Sequence, residues 1–505
     1  MPITAADPRP AHIPLSFAQQ RMWFLNQFDP AAATYNIPVA LSVSGDLDVD
    51  ALRQAVMDVV ARHEVLRTTF PAVDGEPYQQ IHDVDWAQAN LDWQVVDSQD
   101  EVAAAMSTGF DVARRPAFRV RLLRTAPAEW VFAAVIHHIV GDGESMRPLV
   151  TDVMTAYIAR SAGHAPEFAP LEVQFADVAI WQHTMLGDPR DPESVAGGQL
   201  AYWRRQLGGL PDVLELPADR PRPIVASSAG AQIGFTVPAD VSARIDELSA
   251  RRGVTAFMTV HAALAVLLSR LTATDDIAVA TPIAGRGDRV LDPLVGMFVN
   301  TLVLRAEVDP VMSFSDLLDQ VRSADLGAFA NADVPFEAVV DAVDPVRSQA
   351  FAPLAQVMLT LVHTGGSSPD AQNSDGVQAG GVRVTPIDAP LTFAQRDLSV
   401  NIGVVPGGEW GGSLTYATDL FDEVTMRTFA RRLVMLLDAL TAAPDDAVGT
   451  APIIATDERD NLAQWSSGSV MTLTSRTITD SLAVLRSGDR INGSGALGDN
   501  RPGDN

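Results

Sequence analysis

The sequence predicts a mixed α/β (α+β) protein built as two lobes, and three observations carry that expectation. The chain has 505 residues, and single hydrophobic cores stop growing beyond about 250–300 residues, so two lobes plus linkers are expected. Segments of strand character alternate with segments of helical spacing along most of the length. A content of 47% hydrophobic and 20% charged residues is ordinary for a globular protein with buried cores.

Taken in order, residues 37–43 alternate with β character and residues 49–62 have the spacing of an amphipathic helix. Residues 130–136 form a near-continuous apolar run, as expected of a buried strand. A helical pattern then runs from 145 to about 160, with Ser145 or Asp142 as its cap. Residues 161–170 and 187–198 are rich in Gly, Pro and Asp and read as the crossover between lobes. Beyond them, 254–271, 314–329 and 422–440 read as helices, and 277–283, 297–305, 356–362 and 398–404 as strands. Residues 365–381 read as a long mobile loop, and 466–505 as a disordered tail. These readings divide the chain into residues 1–180, 181–455 and 456–505, the last a linker-like segment and tail.

Composition excludes several function classes. With no cysteine in the chain, disulfides, thiolate metal sites and a Cys nucleophile are ruled out, and a reducing cytoplasm is the fitting compartment. A formal charge of −27 argues against nucleic acid as a partner, which a basic stripe would mark. No stretch reaches the ~18 uninterrupted apolar residues of a membrane helix. The best candidate, 257–271, contains His261, Ser269 and Arg270 and reads as a buried core helix. Residues 1–14 show no secretory pattern of a basic patch followed by an apolar core.

The most informative site is His137-His138-Ile139-Val140-Gly141-Asp142-Gly143, at the end of the buried run. Neighbouring strand side chains point to opposite faces, so one imidazole can face a cavity while the other packs inward. Gly141 and Gly143 permit a tight turn, and Asp142 can point inward to hold it. A neutral imidazole can accept the proton of an attacking amine or hydroxyl. Paired histidines are more often packing or surface groups, and His-His-x-x-x-Asp can also begin a metal site. Adjacent strand residues diverge, however, and nothing else supplies a ligand set, so no metal is expected.

The surroundings favour chemistry. Residues 16–25 (SFAQQRMWFL), 62–70 (RHEVLRTTF), 173–181 (VQFADVAIW), 295–305 (VGMFVNTLVLR) and 331–337 (NADVPFE) flank the His-His motif in a fixed order. Together these resemble the condensation domains of nonribosomal peptide synthetases, members of the chloramphenicol-acetyltransferase-like superfamily, over about residues 13–465. Two departures stand out. Glu144 replaces the usual Trp or Val, and 347–354 (RSQAFAPL) keeps only the ends of the family's seventh motif. The second bears on local packing or partner choice rather than on the chemistry.

The resemblance implies two chloramphenicol-acetyltransferase-like lobes arranged as a V, with a tunnel admitting two phosphopantetheine arms. Upstream (donor) and downstream (acceptor) peptidyl carrier proteins would present the thioesters, as in antibiotic or siderophore assembly. His138 would be the catalytic imidazole, as general base or as positioner of the amine, and His137 structural. Asp142, with Gly143 in its turn, would hold the active-site loop through an arginine across the lobes, either Arg286 or the competing Arg289. Arg62 and Arg67 would form a structural ion pair near the cavity. Ser16, Trp203 and Asn300 are the tunnel-lining candidates, although Trp203 also reads as a core aromatic. His63, His82, His183, His261 and His363 carry no role beyond packing or exposure. No cofactor is implied for this chain itself, since the phosphopantetheine belongs to the carriers. Residues 453–465 resemble a linker into an adenylation domain. Rival readings on the same fold are an ester-forming or epimerizing enzyme and a non-catalytic recruitment module. The first two motifs, in condensation style, disfavour epimerization and point to the subtype joining two L-residues.

Overall fold

The computed structural model describes residues 2–363, 376–387 and 393–466. It separates into two compact units, Met1–Ile453 and Ile454–Asn505. In the second unit the described element is the helix Thr456–Ser466. The tail 467–505 and residues 364–375 of the expected loop lie outside the described residues.

Two six-stranded sheets organise the first unit, one per lobe. In lobe one the order is Val377–Ala379, Val382–Pro386, Asn36–Gly45, Glu129–His137, Phe118–Ala126 and Asp92–Val96, with only the last pair parallel. In lobe two it is Asn300–Glu307, Asp276–Ile283, Val357–His363, Leu398–Val404, Trp410–Ala417 and Gly230–Val237. There the strand Val357–His363 runs parallel to both its neighbours. Lobe one thus takes the two strands at one edge from the far half of the sequence, where Val384 pairs with Val43.

Helices form where the pattern demands a covered face. Val49–Arg62 is capped by Asp48, whose carboxylate accepts the Ala51 N–H at 2.9 Å. It buries Ala55, Val56, Val59 and Val60 along one stripe against the sheet and the helix Met146–Ser161. In lobe two the helix Ala256–Thr272 is buried at every position from Met258 to Leu268. Helices cover it on its outer sides, which explains its all-round apolar character. Each large aliphatic side chain so buried contributes about 1.5–3 kcal/mol. No single helix among the described residues is long and apolar enough to cross a membrane. The core of lobe one also contains Leu291, Leu294, Val295, Met297 and Phe298, so the segment 291–298 is anchored on the lobe that carries the His-His motif.

Three elements depart from the sequence reading, each for a local reason. The strand expected from 297 starts at Asn300, because the N–H groups of Phe298 and Val299 point at Asp142 instead of at a neighbouring strand. The stretch 187–198, read as loop, already turns helical at Val195. Gly197 sits in that helix because a Cβ there would lie 2.0 Å from the Asp191 carbonyl oxygen. Residues 377–386, part of which was read as loop, form a hairpin. Its turn is Gly380-Gly381, with φ of +54° and +87°, the conformation of a two-residue hairpin loop.

Candidate active site

The strand Glu129–His137 ends in a short 3₁₀ turn, His138–Val140. The two histidines diverge there. The His137 ring caps its own turn, Nδ1 accepting the Ile139 N–H at 3.1 Å, and packs edge-on against Phe110 with ring centroids 6.2 Å apart. The Ile139 carbonyl in turn accepts Gln19 Nε2 at 3.0 Å, tying the helix Phe17–Phe28 to the turn. The backbone of His138 is pinned by its N–H to the Tyr35 carbonyl at 2.8 Å. Its side chain stays partly exposed, while its buried Nδ1 makes no hydrogen bond of normal geometry.

Burial drives both imidazoles toward the neutral form. That of His137 falls to about 3, by desolvation and then by the neighbouring His138. His138 falls to about 4, chiefly by desolvation; the Asp142 carboxylate and Gly141 backbone oppose the shift, while Arg21 adds to it. Near neutral pH, His138 is therefore a free base. In the unfolded chain both rings protonate near 6.5, so the unfolded state binds more protons from about pH 6.5 down to about 4 for His138 and about 3 for His137. Stability is accordingly expected to fall as the pH drops through that window. His138 alone accounts for a loss on the order of 3 kcal/mol. Urea unfolding at pH 7, 5.5 and 4 checks this, and His138→Gln should flatten the slope. An identical slope in the variant would mean that the ring is not desolvated.

Asp142 is the centre of a cross-lobe latch. It is 2% exposed. Oδ2 accepts the N–H groups of Phe298 at 2.8 Å and Val299 at 3.1 Å, while Oδ1 accepts the Ser145 N–H at 2.9 Å and the Ser145 hydroxyl at 2.7 Å. Arg286 Nη2 approaches Oδ1 only to 3.5 Å and is held more firmly elsewhere. Its Nη1 donates to the carbonyls of Leu291 and Leu294, and its guanidinium lies 4.0 Å from the Phe298 ring centroid. The competing Arg289 is exposed. The arginine contact across the lobes thus belongs to Arg286, but backbone amides, more than the arginine, hold the carboxylate. Gly285, at φ +64°, lets the turn bearing Arg286 close on the latch, since a Cβ there would lie 2.1 Å from the Phe298 carbonyl oxygen.

The other expected site residues divide. Asn300 lines the main cavity, but its amide is engaged with backbone: Nδ2 donates to the carbonyls of Ala332 and Val334, and Oδ1 accepts the Phe336 N–H. Ser16 does not line it; fully buried, it caps the helix Phe17–Phe28 in a reciprocal box with Gln19. Trp203 is a core residue, 1% exposed, whose Nε1 donates to the Asn331 carbonyl at 2.8 Å. Arg62 and Arg67 each face a carboxylate, as expected, but neither lines the cavity. Arg62 binds Asp152 at 2.9 Å, and Arg67 donates to the His82 carbonyl and stands 3.8 Å from Glu64. Gly143 is exposed, with no heavy atom within 4 Å of the position a Cβ would take, so packing alone does not demand glycine there.

The sequence assigns no site role to Gln19 beyond its motif, nor to Ser145 beyond a helix cap, nor to His63. His63 was set aside, yet it is buried, with Nε2 at 2.8 Å from Asp152 and Nδ1 accepting the Val295 N–H at 3.4 Å. Through Asp152 it gives Arg62 an indirect hold on the cross-lobe segment. The signal was available: His63 directly follows Arg62 in a recognised motif.

A cavity of about 620 Å³ lies between the lobes. The helices Phe17–Phe28 and Phe175–Leu186, the turn at 283–288, residues 297–301 and residues 332–337 wall it. His138 is not part of its lining; the cavity reaches the motif through Arg286, Phe298 and Val299, which contact Asp142. Arg21 lines it too, in an ion pair of 3.0 Å with Glu337. Among the described residues no group of three or more His, Asp or Glu side chains is gathered as a metal ion would require.

Comparison with known proteins supplies the family. A model of the condensation domain matches residues 10–463. The chain is 43% identical over 470 residues to a dimodular nonribosomal peptide synthase of Bacillus subtilis, covering 91% of this chain and 19% of that protein. It is 42% identical over 485 residues to an isonitrile lipopeptide synthase of Mycobacterium tuberculosis, covering 93% of this chain and again 19% of the relative. The chain thus spans about a fifth of the length of these relatives. The X-domain from teicoplanin biosynthesis, also solved in complex with OxyB, superposes with a TM-score of 0.80 at 31% identity over 90% of this chain and 100% of that one. A four-domain nonribosomal peptide synthetase shares the fold, with a TM-score of 0.78 at 24% identity over 89% of this chain and 34% of that one. The ordered motifs, the two-lobed fold and these matches agree: the chain belongs to the condensation-domain family of nonribosomal peptide synthetases.

Proposed function

We propose that this domain forms an amide bond between a donor acyl or peptidyl thioester and an acceptor aminoacyl thioester, each borne on the phosphopantetheine arm of a carrier. The observation that carries the reading is His138, an imidazole kept neutral by burial on a partly exposed residue, on a turn that the cross-lobe latch holds in place. The acceptor amine attacks the donor carbonyl carbon, the C–S bond breaks, and the chain passes to the acceptor. His138 takes the proton that the amine loses and can return it to the departing thiolate. Holding amine and thioester together supplies a further share of the rate. His137, Asp142, Gly143, Ser145 and Arg286 keep that turn in place, and Arg62 and Arg67 support it from a distance.

The interlobe cavity supports two-substrate chemistry, since it gives an arm a route between the lobes. On the helix Phe17–Phe28, which lines it, Phe24 and Phe28 are 66% and 77% exposed one turn apart. Such a stripe fits a carrier docking at the cavity mouth. Donor and acceptor carriers and a neighbouring adenylation domain are therefore the proposed partners, in the cytoplasm, as suits a chain without cysteine. The resident chemistry needs no cofactor beyond the carriers' own arms.

A second reading, a recruitment module without chemistry, is favoured by the likeness to an X-domain solved with a bound protein. Carriers loaded with an L-aminoacyl donor and either an amine acceptor or its hydroxyl analogue separate the readings. Amide product, with ester formed far more slowly and donor configuration retained, is expected. Ester in preference, or inverted configuration, would move the enzyme to a rival reaction, and carrier binding without product would support recruitment.

A further inference from the structure

Ser145 is fully buried, and its hydroxyl has more neighbours than a hydroxyl can serve. Oγ lies 2.7 Å from Asp142 Oδ1 and 2.8 Å from the Gly296 carbonyl oxygen, two acceptors for one proton. Three donors also reach it: the N–H groups of Gly296 at 3.1 Å and Asp142 at 3.2 Å, and Arg286 Nη2 at 3.1 Å. A hydroxyl donates once and accepts twice, so these contacts cannot all be made at once. We infer that Ser145 is a positioning residue for His138, its hydroxyl joining the catalytic turn to the cross-lobe segment at Gly296 in either of two hydrogen-bond arrangements. This inference rests on the amide-forming reading above.

In one arrangement the proton lies on Asp142, within the motif's own loop. In the other it lies on Gly296, in the segment 291–298 anchored on the same lobe, and Asp142 Oδ1 keeps the Ser145 N–H and Arg286. Both arrangements use groups held rigidly. Gly296 is packed so closely that a Cβ would lie 2.0 Å from the Phe175 ring, and its neighbours Phe298 and Val299 are fixed on the same carboxylate. On the motif side, the Gly141 N–H bonds the His138 carbonyl at 3.3 Å, and the next peptide N–H, that of Asp142, bonds Ser145 Oγ. A change in the spacing between Gly296 and the turn is therefore passed to the backbone of His138 through Ser145 Oγ, beside the Asp142 carboxylate that also holds Phe298 and Val299. The two arrangements give the turn a defined response to that spacing in place of free movement.

The test compares wild type, Ser145→Ala and Ser145→Cys in steady-state amide formation with separately loaded carriers. All rates are referred to the folded fraction, well below each melting temperature. Because misplacing a reacting group by about 1 Å can cost on the order of 100-fold, kcat should fall about 10- to 100-fold in Ser145→Ala. KM for each carrier should stay within about threefold, because the docking surface is untouched. Ser145→Cys, which keeps a weaker donor, should recover part of kcat. Equal kcat in all three proteins, with only the melting temperature lowered, would overturn the inference and leave Ser145 a packing residue. If the alanine variant fails to fold, the cysteine variant decides: an unchanged kcat overturns the inference, and a reduced kcat with unchanged KM sustains it. An inactive wild type would instead count against the amide-forming reading itself.

Discussion

Replacing His138 by alanine is expected to slow amide formation at least about 100-fold while leaving the domain folded and able to bind its carriers. The imidazole is positioned by its own backbone, through the Tyr35 carbonyl, and not by side-chain bonds to the core. Truncation therefore removes an uncommitted nitrogen without orphaning a partner. Circular dichroism and the melting temperature should stay near wild type. His137→Ala provides the contrast. That ring caps its own turn and packs against Phe110, so its removal should lower stability first and activity only as a consequence. Wild-type rates in His138→Ala would move the chemistry away from this ring.

Asp142→Ala should be the most destabilising single change at the site. It leaves the N–H groups of Phe298 and Val299, the N–H and hydroxyl of Ser145, and the buried Arg286 without their shared acceptor. Removing one partner from a buried charged network costs about 3–5 kcal/mol. Melting temperature and activity should fall together, because the same contacts hold the His138 turn and the cross-lobe segment. Asp142→Asn keeps a carbonyl oxygen for the amides but presents an NH₂ to other donors, and should fall between alanine and wild type. An inactive alanine variant with unchanged melting would instead make Asp142 a direct participant in the chemistry.

The same latch shows what was legible in the residues beforehand and what was not. Elements governed by local periodicity were readable: the helices Val49–Arg62 and Ala256–Thr272 and the strand Leu398–Val404 follow their apolar spacing closely. The divergence of His137 and His138 was also readable, because it follows from strand geometry. Non-local features were hidden. No periodicity announces that residues 382–386 cross back to pair with 41–45, nor that Phe298 and Val299 leave their strand to serve a carboxylate in the other lobe. The tunnel-lining candidates illustrate the limit. Ser16 and Asn300 stand in recognised motifs, but motif membership did not distinguish a helix cap from a cavity wall. The Arg286 contact could be narrowed to two arginines because the family resemblance implies an arginine opposite the motif aspartate. The larger share of its stabilisation, from backbone amides, has no side-chain signature at all.

The central claim is that His138 drives chain transfer between two carrier-bound thioesters. It is tested most directly by the intact mass of the acceptor carrier after a single turnover, with donor and acceptor carriers supplied separately and loaded beforehand. With wild-type protein the acceptor should gain the mass of the donor acyl group as the donor carrier returns to its free thiol, and with His138→Ala it should not. Transfer at equal rates by both proteins, or loss of the donor acyl group to water with no gain on the acceptor, would contradict the account.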